Sequence, residues 1–76
     1  MYSGNVTLDE APGAATVTAV QATGPAARRL AELGVRVGSH VRVLYRTTGG
    51  GRVLALDGSR VAIDARTAAG ITVTPA

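Results

Sequence analysis

Apolar and polar side chains alternate with a period of two in two stretches of this chain, and elsewhere the pattern breaks into turns and helical spacing. Residues 14–20 read Ala-Ala-Thr-Val-Thr-Ala-Val, threonines alternating with apolar groups, which is the signature of a strand with one buried face. Residues 40–46 alternate again, with Val41, Val43 and Tyr45 expected inward and His40, Arg42 and Arg46 outward. Residues 52–56 and 59–63 flank Asp57-Gly58. That pair is the strongest hairpin signal in the chain, because a type I′ turn needs positive φ at both central residues. Residues 71–74 make a last strand before Pro75, which has no N–H to extend the ladder.

The period changes after Thr23-Gly24-Pro25, which reads as a helix start. Thr23 or Gly24 can cap, and Pro25 suits a first turn that does not use its missing N–H. The spacing predicts a helix over residues 25–33, with Ala27, Leu30, Ala31 and Leu33 toward one side and Gly34 as a left-handed stop. Two turns of helix do not hold in water without docking on a sheet. Leu30 and Leu33 are therefore expected as the core residues that anchor this helix. A shorter helical turn is predicted over 65–69, capped by Asp64 and ended by Gly70. Residues 47–51, Thr-Thr-Gly-Gly-Gly, read as a flexible loop between strands. Five strands, one short helix and one helical turn fit a mainly β fold, a small SH3-like barrel that curls and closes on itself to avoid exposed edges.

Length and composition narrow this further. Seventy-six residues make one domain, 1–76, and a 46% hydrophobic content without Phe or Trp means a core of Val, Leu, Ile and Ala. There is no cysteine, which excludes a disulfide framework, a thiolate metal site and a cysteine nucleophile. No apolar run approaches the ~18 residues of a membrane span. The first five residues carry neither a basic start nor an apolar stretch, so the expected location is the cytoplasm. Any membrane link would run through a partner.

The net charge of +3 raises the question of nucleic acid. All eight basic residues are arginine, and only Arg28 and Arg29 are adjacent. Single-strand binders need aromatic platforms, whereas this chain has only Tyr2 and Tyr45, the latter expected inside. Nucleic acid is the weaker reading. Catalysis is weaker still: His40 is the only histidine, Asp9 and Glu10 are adjacent and project differently, and Asp57 and Asp64 are committed to a turn and a cap. Zinc needs three or four convergent ligands, and these residues do not supply them. The glycines at 49–51 lack a Walker lysine and precede a strand rather than a helix. The chain is read as a non-enzyme with no cofactor and no metal site.

A protein without such chemistry works by presenting a surface, and the helix with its connector 34–38 is the part least required by a barrel. Arg28, Arg29, Glu32 and Arg36 are the candidate partner-binding residues there, able to pair with charged groups on a partner or simply to solvate the helix. An exposed barrel edge can also pair two copies.

The order of elements resembles the FeoA family. The resemblance rests on Leu8 with Pro12-Gly13, on Pro25 through Arg29-Leu30-Ala31-Glu32-Leu33-Gly34-Val35-Arg36-Val37-Gly38, and on Val41-Arg42-Val43. Gly58-Ser59-Arg60-Val61-Ala62-Ile63, Ala68 and Ile71-Thr72-Val73 resemble that family's closing hairpin, helical turn and last strand. The loop 47–51 departs, carrying Thr-Thr-Gly-Gly-Gly where family members often have a Leu-Gly-Asp-Pro type segment. The resemblance implies a small accessory protein of bacterial ferrous iron uptake that assists or regulates the FeoB permease by protein–protein contact. The same module resembles the C-terminal domain of DtxR-type iron-dependent repressors, which implies a metal-sensing domain as an alternative, beside a basic module for nucleic acid.

Overall fold

In the computed structural model, residues 4–76 are described; Tyr2 and the rest of the first three residues lie outside them. The described elements are β1 (Val6–Thr7), a 3-10 turn (Leu8–Glu10), β2 (Ala14–Val20), α1 (Gly24–Glu32), β3 (His40–Arg46), β4 (Arg52–Leu56), β5 (Ser59–Ile63), α2 (Ala65–Ala69) and β6 (Ile71–Pro75). The strands form one antiparallel sheet in the order β1-β6-β2-β3-β4-β5. This is the expected SH3-like class, with six strands instead of five. The extra strand, β1, pairs only Val6 with Val73 and Thr7 with Thr72. Two residues are too few to show a period.

The expectation that the sheet closes on itself needs a second correction. The hydrogen-bonded ladder ends at β1 and β5, which do not neighbour each other in it. Each end leads directly into a helical turn instead: β1 into the 3-10 turn and β5 into α2. These two turns pack together, so side chains rather than a ladder seal the barrel. Leu8 of the 3-10 turn and Ala68 of α2 are both fully buried there.

The core is aliphatic throughout. Val17 and Val73, paired across β2 and β6, lie at its centre with Leu8, Leu54, Ile71 and Val35. The β4–β5 hairpin turns as expected, with φ of 50° at Asp57 and 81° at Gly58.

Two bulges bend the long strands, one between Val17 and Ala19 and one between Val43 and Tyr45. An extra residue on one strand sharpens the local bend and shifts the alternation. In β3 the extra residue is Leu44, so Tyr45 falls on the outer face and is 54% exposed. Tyr45 was expected inside. Strict alternation fails there because the sheet must curl.

The segment 47–51, the expected loop between strands, is closed by two backbone hydrogen bonds. Thr47 N donates to Gly51 O at 3.0 Å and Gly50 N donates to Thr47 O at 3.1 Å. Gly51 is fixed by space: a Cβ there would stand 2.6 Å from Ile63 O. Arg52 follows, only 8% exposed although it reads as an ordinary strand charge. Its guanidinium donates through Nη1 to Gly50 O at 2.5 Å and to Gly51 O at 3.0 Å. Through Nη2 it donates to Asp9 O at 2.5 Å. One side chain thus ties the 3-10 turn to the β3–β4 turn.

Arg52→Met keeps most of the stem and removes every donor. Gly51 O keeps the Thr47 N–H, whereas Asp9 O and Gly50 O lose their guanidinium donor; stranding an acceptor costs about 1–3 kcal/mol, so the midpoint of urea unfolding should fall by the equivalent of roughly 3 kcal/mol. A variant as stable as the parent would show that the guanidinium does not hold the turns.

Candidate functional site

Helix α1 is fixed most firmly at its C-terminal end. At its start Thr23 makes no side-chain cap, and the chain is turned instead by Gly24 at φ 58°, followed by Pro25 in the first turn. At its end Gly34 N donates to Ala31 O at 3.0 Å and Val35 N donates to Leu30 O at 2.8 Å, with Gly34 at φ 94°. This is a Schellman stop. The connector is then pinned to β2 by Gly38 N to Val17 O at 2.8 Å and Val17 N to Ser39 O at 2.9 Å. Ser39 Oγ donates back to Gly34 O at 2.6 Å.

Leu30, 4% exposed, is the one buried residue of α1. Leu33, expected beside it in the core, is 38% exposed. It occupies the C-cap, where the chain reverses, and Val35 on the returning segment is the one that becomes buried. A Schellman stop brings the residue at the Val35 position against the one at the Leu30 position, which explains the exchange.

Helix α2 faces α1 across a groove. Asp64 caps α2 as expected, its Oδ1 accepting from Thr67 N at 2.7 Å. That backbone hydrogen bond, helped by the Thr67 side chain and the nearby Arg66 charge, holds the Asp64 pKa below the usual 3.8. The groove comprises two adjoining clefts of about 230 Å³ each. The first is lined by Arg29, Leu33, Ile63 and Asp64, the second by Val20, Arg66 and Ile71, and both share Ala26, Leu30 and Thr67. Their floor is apolar and their rim carries the charges.

Arg28, Arg29, Glu32 and Arg36 are all exposed, and the fold separates them. Arg29 lines the groove, whereas Arg28 and Glu32 do not. Arg36 bends back, its Nη2 3.4 Å from Ala31 O, which accepts from it. The residue brought into the groove with Arg29 is Arg66, which sequence reading did not single out. Nothing local marks it, because the two are 37 positions apart and only the packing of α1 and α2 joins them. His40 Nδ1 lies 3.1 Å from Oγ1 of Thr16, its cross-strand partner. Among the described residues no three His, Asp or Glu side chains converge to hold a metal ion, and no helix is long and apolar enough to cross a membrane.

The model of the FeoA domain family matches residues 6–75, the whole barrel with both helices. The chain belongs to the FeoA family. Among solved structures, this FeoA domain is similar to the FeoA protein of Chlorobium tepidum, with 32% identity and a TM-score of 0.82 over 92% of this chain and 70% of that one. It is similar also to an iron uptake regulatory protein (FeoA), with 26% identity and a TM-score of 0.80 over 93% of this chain and 96% of the other. A manganese-dependent transcriptional repressor shares the fold, with 24% identity and a TM-score of 0.83, over 44% of that chain. No curated protein matches the chain in sequence.

Two outcomes follow for the site. Leu30→Ala should cost about 2–5 kcal/mol in chemical denaturation, since it removes the one buried anchor of α1. The lowered Asp64 pKa makes its cap a source of stability above the unfolded aspartate value, lost as pH falls through the folded one. Melting temperature should therefore decline below about pH 4, and Asp64→Asn, which caps without titrating, should flatten that part of the profile. An unaltered acid limb in the variant would remove Asp64 as its source.

Proposed function

We propose that this FeoA protein is a non-enzymatic accessory of ferrous iron uptake that works by touching the cytosolic part of a FeoB-type permease. The observation that carries the reading is the FeoA match across the entire barrel, joined to a helix whose single buried residue leaves its flank open. The similar iron uptake regulatory protein supports a role in iron uptake. A cytoplasmic location accords with that partner. Nucleic acid stays the weaker reading. Exposure of Tyr45 restores one stacking surface, but single-strand binding draws on successive platforms, and Tyr45 is the one aromatic side chain among the described residues.

Titration of the folded protein into the purified cytosolic part of the permease, with and without guanine nucleotide, should give saturable binding by calorimetry. Absence of binding in every nucleotide state, with the protein demonstrably folded, would overturn the reading.

A further inference from the structure

We propose that the groove between α1 and α2 is the docking site, and that its occupant is an acidic amphipathic helix of the partner; this rests on the permease-accessory reading above. Each of the two adjoining clefts measures about 230 Å³. Such a space has room for one large side chain in each cleft. The clefts adjoin across Ala26 and Leu30, so two apolar side chains on one face of a helix can enter both at once. Leu33, 38% exposed at the rim, extends the apolar surface.

Charge selects the rest of the occupant. Arg29 on α1 and Arg66 on α2 line the two clefts against a single carboxylate, Asp64. That carboxylate is already engaged by the Thr67 N–H. Guanidiniums beside an apolar floor favour carboxylates flanking the inserted side chains, with gains in both affinity and orientation. The remaining arginines add to a net charge of +3, which repels a basic segment.

The test is titration of the permease's cytosolic part with the parent and three variants, each checked for folding by circular dichroism. Ala26→Trp fills the groove from an exposed position shared by both clefts. Arg29→Glu with Arg66→Glu reverses the rim. Arg42→Glu with Arg60→Glu makes the same charge change on β3 and β5, at residues that flank Ala55 in register and do not line the groove. Both groove variants should bind at least about tenfold more weakly, with the control pair within about twofold of the parent. If Ala26→Trp does not fold, the rim reversal alone decides. A parent that binds and groove variants that bind equally well would overturn the groove while leaving the permease reading intact. Equal loss in the control pair would do the same, by showing diffuse charge attraction. A parent that does not bind at all would overturn both.

Discussion

Arg52 is the one charged side chain buried among the described residues, and it ties the 3-10 turn to the β3–β4 turn. Backbone carbonyls of these turns are buried or partly buried, and such groups need a donor. Three of them, on Asp9, Gly50 and Gly51, accept from its guanidinium. A planar group with donors in a fixed fork can reach separate segments at once. Neighbouring Gly51 has no room for a side chain against Ile63 O. The glycine and the arginine act together: the first lets the turn approach β5, and the second joins that turn to the 3-10 turn through Gly50 O, Gly51 O and Asp9 O.

The barrel holds α1 at few points. Its C-terminus is closed by the Gly34 stop and its connector is laced to β2, while Leu30 alone goes into the core. A helix held in this way has a fixed position and an open side. Across from it, α2 is ordered by the Asp64 cap and by its seat on the 3-10 turn and β6. Two short helices that would not persist alone become the walls of a groove because each is anchored at a few points to the same sheet. The groove so formed has an apolar floor and a charged rim.

Much of this was legible in one dimension. The Asp57-Gly58 turn, the Gly34 stop and the Asp64 cap depend on residues adjacent in the chain, whose backbone preferences act locally. The β2 strand showed its buried face through alternation for the same reason. Tyr45 did not, since the bulge at Leu44 answers to the curvature of the whole sheet. Leu33 at helical spacing was expected to bury like Leu30, and the returning chain gave that place to Val35. Of the groove, Arg29 could be suspected as one charge on an exposed helix, but its pairing with Arg66 could not.

What the amino-acid order determined by itself, then, was the set of local conformations and the apolar mass to bury, because turns, caps and periodicity involve neighbours a few residues apart. Tertiary structure alone decided the role of Arg52, the outward turn of Tyr45 and the joining of α1 to α2 in one groove. Each of these depends on groups distant in sequence meeting at a curved, incompletely paired sheet, and no local pattern encodes where that curvature brings them together.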